Sequence, residues 1–151
     1  MFYGEYSHSL DKKGRLIVPS KFREIFKEHY ADKFYITRGL DKCLFVFTED
    51  EWKAQERKFK DMSFTRQESR QFNRLYFSGA CEVSCDKQGR ILVPQYLKEY
   101  AEIKQDVVVV GVSDRIEIWS KEKWKEFFKN SMGSFEDLAE KLLDSERGKQ
   151  S

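Results

Sequence analysis

A chain of 151 residues with 36% charged residues but a net charge of only +2 has no overall field that selects a nucleic acid, a membrane or an acidic substrate. Only local patches can do so. Its 40% hydrophobic content, with 13 Phe, 7 Tyr and 3 Trp, is that of a globular protein burying large area per residue.

The longest apolar run, Val107 to Val110 with Val112, is far too short to cross a bilayer. The N-terminus MFYGEYSHS has no basic segment followed by an apolar run, so no signal peptide is expected. Cys43, Cys81 and Cys85 are odd in number and form no CxxC. Cys81 and Cys85 are expected on one strand face, too far apart along it for a disulfide. Reduced thiols and a cytosolic compartment are therefore expected.

In chain order, Phe2 to Asp11 alternates like an entering strand. Asp11 to Pro19, DKKGRLIVP, then reads as a turn and a strand. Gly14 supplies the left-handed φ of a tight reversal. Leu16-Ile17-Val18 is a short apolar run that reads as a buried strand, ended by proline. Ser20 is the expected N-cap of an amphipathic helix with Phe22, Ile25, Phe26 and Tyr30 on its apolar face. Phe34 to Arg38 and Cys43 to Phe47 read as strands joined by a turn at Gly39 to Lys42. Capping boxes at Thr48 to Glu51 and Thr65 to Glu68 predict two helices. The first carries Trp52, Phe59 and Met62; the second carries Phe72, Leu75 and Tyr76.

The plan then recurs. Asp86 to Pro94 reads DKQGRILVP, 75 positions after the first copy, and Pro19 and Pro94 are the only prolines. Phe2, Gly4 and Ser9 match Phe77, Gly79 and Ser84. Downstream the register shifts by three residues, so that Gly39, Val46, Phe47 and Trp52 match Gly111, Ile118, Trp119 and Trp124. Six of the eight glycines fall in these matches, which predicts a shared backbone geometry. The expected strands of copy two are Cys81 to Cys85, Ile91 to Val93, Val107 to Val112 and Ile116 to Trp119. Leu97, Tyr100 and Ala101 fill the helix positions between. Ser120 is expected to cap a helix with Trp124, Phe127 and Phe128. After a break at Gly133, a second stripe carries Phe135, Leu138, Leu142 and Leu143, and a polar tail, Ser145 to Ser151, frays. The expected division is residues 4–52 as repeat 1, 53–78 as a helical connector, 79–124 as repeat 2, and 125–151 as C-terminal helices and tail. A repeat of about fifty residues is marginal as an independent core, so the two are expected to interlock around one core.

Enzymatic chemistry is not visible. His8 and His29 have no metal-ligand spacing, and no phosphate-cradling, dinucleotide or nucleophile-elbow motif occurs. No catalytic residue, metal or cofactor is expected. Asp11 and Asp86 lie beside lysines and read as ordinary exposed carboxylates.

The doubled D-x-x-G-R followed by an apolar strand and proline resembles the DNA-contacting hairpin of the AbrB-like (SpoVT-AbrB) family. Two copies over nearly the whole chain, with M-x-x-G-E-Y at one end and I-E-I-W plus helices at the other, are similar to the MraZ family of bacterial transcriptional regulators. The resemblance implies a mainly β protein with α-helices, in which two swapped-hairpin repeats interleave into one pseudo-symmetric β-barrel. It implies a homo-oligomeric ring and a place in the cytoplasm at the nucleoid. It implies binding to repeated double-stranded DNA elements upstream of its own gene, in the division and cell-wall cluster. No membrane and no small-molecule substrate is implied.

On that resemblance Arg15 and Arg90 are the expected base or phosphate contacts, Lys12, Lys13 and Lys87 the expected sequence-blind phosphate contacts, and Asp11, Gly14, Asp86 and Gly89 the turn-shaping residues. Gln88 in place of Lys13 makes the second turn less basic. The residues alone leave a second reading open, in which each aspartate bridges its arginine and the turn has no partner. Trp52, Trp119 and Trp124 read as packing residues. The cationic connector reads as a solvated face, and the helix Phe135 to Leu143 either folds back or meets a neighbouring subunit. An antitoxin-like protein-binding module is the alternative function on this fold.

Overall fold

The computed structural model describes residues 1–28 and 33–150, with only the backbone of Lys149 and Gln150. His29 and Tyr30, both considered above, lie outside the described residues. The chain divides into two compact units, residues 1–121 and 122–151.

In the first unit the elements are β1 (Phe2–Ser9), β2 (Arg15–Ile17), α1 (Ser20–Glu28), β3 (Phe34–Arg38), β4 (Leu44–Thr48), α2 (Glu49–Lys60) and α3 (Gln67–Ser78). They are followed by β5 (Cys81–Val83), β6 (Arg90–Leu92), α4 (Gln95–Tyr100), β7 (Asp106–Ser113) and β8 (Arg115–Ser120). The class is mixed α/β with antiparallel sheets. Six strands pair in the order β1-β7-β8-β4-β3-β5, and β2 pairs with β6 in a separate two-stranded ribbon.

The pairing interleaves the two halves. β1 pairs with β7, β2 with β6, β3 with β5 and β4 with β8; only the hairpins β3–β4 and β7–β8 stay within one half. Exchanging each strand for its repeat mate and reversing the order returns the same sheet. A pseudo-dyad therefore passes through the central pairs, Phe45↔Glu117 in the sheet and Leu16↔Ile91 in the ribbon.

The core follows the same symmetry. Leu16 and Ile91, Val18 and Val93, Phe22 and Leu97, and Phe26 and Ala101 are all buried in one apolar cluster. Helix α1 fits because its apolar residues recur at helical spacing, and Phe22 meets Phe2 edge-on at 5.4 Å. Helix α4 has six residues, whereas α1 has nine among the described residues. It stops at Glu102, which takes a left-handed φ of 55°, while Ile103 N–H donates to Lys98 O at 2.9 Å. This early stop lies where the repeat register shifts.

Helices α2 and α3 join through a second, aromatic cluster. Trp52 stacks on Tyr35 with centroids 5.6 Å apart and also meets Phe77 at 5.6 Å, while Phe59 meets Phe72 at 4.8 Å. Thr37, fully buried, donates its hydroxyl to Tyr76 O at 2.6 Å. Thr48 caps α2, accepting from Glu51 N–H.

Several local expectations are corrected. Ile17 and Leu92 are 47% and 55% exposed, because a three-residue ribbon strand turns alternate residues to opposite faces and only Leu16 and Ile91 point inward. Pro19 rather than Ser20 stands at the mouth of α1, its carbonyl accepting from Phe22 and Arg23 N–H. Thr65 does not cap α3, which begins after Arg66 with no side-chain cap. Arg70 instead donates to the Phe64 and Thr65 carbonyls. Leu75 is exposed, and Phe77 takes its place in the aromatic cluster. The strand expected over Cys81 to Cys85 ends at Val83. Gly4 has a φ of 97° whereas its match Gly79 has −80°, so the repeat does not keep one backbone geometry there.

The second unit, which begins one residue into α5 (Lys121–Ser131), carries the rest of that helix, a 3-10 turn (Met132–Ser134) and α6 (Phe135–Gln150). The expected break at Gly133 is thus a tightened turn between helices. The expected frayed tail is helical through Gln150. Trp124 meets Phe127 at 5.4 Å and Phe128 at 6.3 Å. Phe135, Leu138, Leu142 and Leu143 are exposed.

Each half leaves its strand edges unpaired without the other, and exposed backbone donors in a core setting are costly. Residues 1–78 expressed alone should be unfolded, aggregated, or dimerised so that a second copy supplies the missing strands. Light scattering with circular dichroism checks this, and a stable folded monomer of that fragment would contradict the interleaved core.

Candidate nucleic-acid interface

The two D-x-x-G-R turns have one construction. In the first, Gly14 N–H donates to Asp11 O at 3.0 Å and Asp11 N–H donates to Arg15 O at 3.0 Å. Gly14 has a φ of 80° and Gly89 one of 77°, which side-chain-bearing residues resist. Asp11 Oδ1 accepts from the backbone N–H of Lys13 and of Arg15, both at 2.9 Å, and Oδ2 accepts from Arg15 Nε at 2.7 Å. Asp86 repeats this with Gln88 N–H and Arg90 N–H at 2.9 Å and Arg90 Nε at 2.8 Å.

These carboxylates are not the ordinary ones that sequence predicts. The backbone N–H of Arg15 above all, with the Arg15 side chain, the Lys13 N–H and the Arg15 charge, holds Asp11 below its usual 3.8, outweighing desolvation, the second-largest influence, which acts the other way. Arg90 and Gln88 do the same for Asp86.

The turns are held from the opposite half as well. Val18 N–H donates to Gly89 O and Val93 N–H donates to Gly14 O, both at 2.9 Å. Each turn glycine thereby closes one end of the β2–β6 ribbon. Arg90 Nη1 lies 3.8 Å from Asp11 Oδ2, which brings both aspartates and both arginines into one charge network.

The arginines are only partly open, with side-chain exposures of 31% for Arg15 and 23% for Arg90. Each presents its Nε edge to an aspartate, and the Nη groups of Arg15 hold no partner among the described residues. A guanidinium held this way keeps a forked donor edge in a fixed orientation. Lys12, Lys13 and Lys87 are exposed at the turn tips.

Two further cations join the site, and sequence reading passed over them. Arg23 of α1 reaches over the second turn: a Cβ on Gly89 would lie 2.6 Å from Arg23 Nη1. Lys98 of α4 does the same over the first turn, its Nζ 3.0 Å from a Cβ on Gly14. Arg23 also donates Nε to Val18 O at 2.9 Å. Both residues stand four positions after the motif proline, a spacing that was available as a signal. Ile17 and Leu92, read as buried, are the other omission. Direct partners in the ribbon are Arg15↔Leu92 and Ile17↔Arg90, so one outward face carries two arginines and two aliphatic side chains. Among the described residues no cluster of His, Cys, Asp and Glu could hold a metal, and no helix is long and apolar enough to cross a membrane.

Comparison with protein families gives two matches, over residues 1–75 and 76–145, to the family described as "MraZ protein, putative antitoxin-like". The two matches together span nearly the whole chain, and the boundary between them falls inside α3.

The depressed carboxylates set a pH window. A group whose folded pKa lies below its unfolded value contributes its full stabilisation above the unfolded value and loses it as pH falls through the folded one. The turns should therefore stay locked down to pH 3.8 and open below it. Carboxyl and amide NMR shifts check this: Asp11 with the Lys13 and Arg15 amides, and Asp86 with the Gln88 and Arg90 amides, should titrate together below 3.8. A midpoint at or above that value would contradict the locking.

Proposed function

Because the chain belongs to the MraZ family, a family of non-enzymatic regulators, we propose that it is a sequence-specific DNA-binding transcriptional regulator. Its targets in this reading are repeated elements upstream of its own gene, in the bacterial division and cell-wall cluster, and it works in the cytoplasm at the nucleoid. The two sheets together act as one interleaved, pseudo-symmetric barrel of the AbrB-like kind that carries the turns.

One observation carries the reading: the β2–β6 pairing and the Arg90–Asp11 approach join both turns in a single cationic surface. A two-stranded antiparallel ribbon fits the major groove, where arginine pairs bidentately with guanine. Arg15 and Arg90 are the base-reading residues in this assignment. Lys12, Lys13 and Lys87, joined by Arg23 and Lys98, contact phosphates. Asp11, Asp86, Gly14 and Gly89 shape the turns and aim the arginines, since an acid facing phosphate is repelled.

The antitoxin-like protein-binding alternative has the family's descriptive name in its favour. Such a module would take a protein partner in place of DNA. A gel-shift with the DNA upstream of the gene separates the two. The wild-type protein should bind. Arg15→Ala with Arg90→Ala should lose about 1–3 kcal/mol for each specific arginine contact, with native circular dichroism. Full-strength binding by that folded double variant would sink the DNA reading.

Assembly belongs to the same proposal. One copy offers few phosphate contacts, while several linked copies facing repeated elements gain from effective concentration. The stripe Phe135, Leu138, Leu142 and Leu143, with the Trp124-Phe127-Phe128 helix, is the proposed seam of a homo-oligomeric ring. Leu138 and Leu142 are 49% and 68% exposed, as a face awaiting a partner would be. Light scattering should find wild type assembled at micromolar concentration and Leu138→Asp, Leu142→Asp dissociated. A monomeric wild type contradicts the ring; an assembled variant moves the seam elsewhere.

A further inference from the structure

We propose that Ile17 and Leu92 read the C5-methyl groups of thymines beside the guanines taken by Arg90 and Arg15. The proposal rests on the DNA-binding reading above. It starts from an anomaly: two large aliphatic side chains, 47% and 55% exposed, stand in the middle of a cationic surface. A single exposed aliphatic residue needs no explanation. Here the two are related by the pseudo-dyad through Leu16↔Ile91, and each stands directly across the ribbon from an arginine.

The setting narrows what they meet. Lys12, Lys13 and Lys87 at the turns, with Arg23 and Lys98 over the turn glycines, surround the ribbon with positive charge, so its complement is polyanionic. Phosphates are met by the cations, and an aliphatic side chain gains nothing from them. Among the base edges of the major groove, the thymine methyl is the apolar group. Ile17 and Leu92 therefore match the only feature of that groove that rewards apolar contact.

Geometry sets the spacing. Side chains directly opposite in an antiparallel pair have Cβ atoms about 5 Å apart. Successive bases on one strand rise about 3.4 Å. Each thymine therefore lies about one or two base pairs from its guanine. The Asp11–Arg15 and Asp86–Arg90 pairs fix the direction of each guanidinium, so each aliphatic neighbour has little latitude in register. The ribbon repeats the arrangement, with Arg15 and Leu92 as one reading pair and Arg90 and Ile17 as the other.

The test uses full-length protein and duplexes enriched by it from random sequence, each resynthesised with deoxyuridine in place of thymidine. The exchange removes only the methyl group. Wild type should bind the deoxyuridine duplex more weakly, by about fourfold for each methyl lost, from the transfer free energy of one such group. Ile17→Ala with Leu92→Ala, folded by circular dichroism, should bind both duplexes alike, at the level of wild type on deoxyuridine. Equal binding of both duplexes by wild type overturns the proposal and leaves the DNA reading standing. A thymine preference that survives in the double variant overturns it too, as does an enriched element with no thymine within two base pairs of its guanines. A wild-type protein that enriches no sequence overturns this proposal and the DNA reading together.

Discussion

The structure depends on backbone pairing between its two halves. β2 and β6 are three residues each, too short to stand as strands by themselves. They persist because Leu16 meets Ile91 at the centre, and because Val18 and Val93 donate to Gly89 and Gly14 across the ends. Backbone groups at both turns are thus satisfied by the opposite repeat. The larger sheet repeats this dependence through β1–β7, β3–β5 and β4–β8. Turn shape and core are one cooperative object, and a loss in either half is felt at both turns.

Inside each turn the aspartate works as a local lock. One carboxylate takes two backbone N–H donors and an arginine Nε, which satisfies the reversal and aims the guanidinium at once. The bridge and the proposed binding role are compatible. An arginine held by its Nε edge loses less conformational freedom when its remaining donors engage a ligand. The partial exposure of Arg15 and Arg90 thus fits pre-organised donors better than mobile ones.

The repeats have diverged while keeping this frame. Lys13 faces Gln88, Arg23 faces Lys98, and α4 is three residues shorter than the described part of α1. The halves differ as well in the helices that come after the last hairpin of each. In the first, α2 and α3 interlock through Trp52, Phe59, Phe72 and Tyr76. In the second, a helical turn links α5 to α6, and the α6 stripe remains exposed. The two halves are therefore alike at the turns and unlike at their helices.

The sequence by itself determined the repeat, its positions, the two glycine turns, most strands and helices, and the family. These arise from local chemistry: φ at glycine, proline after an apolar run, and apolar spacing. Tertiary structure alone decided what the short motifs face. Ile17 and Leu92 look as apolar as Leu16 and Ile91, and only the ribbon pairing shows which of them reaches the core. Arg23 and Lys98 are ordinary helix residues until the opposite repeat brings a turn glycine beneath them. Asp11 and Asp86 are ordinary acids until the turn closes its backbone donors and an arginine around them. The ribbon and the cations over its turns need residues about 75 positions apart to meet, and no local pattern encodes which side chains that meeting leaves at the surface.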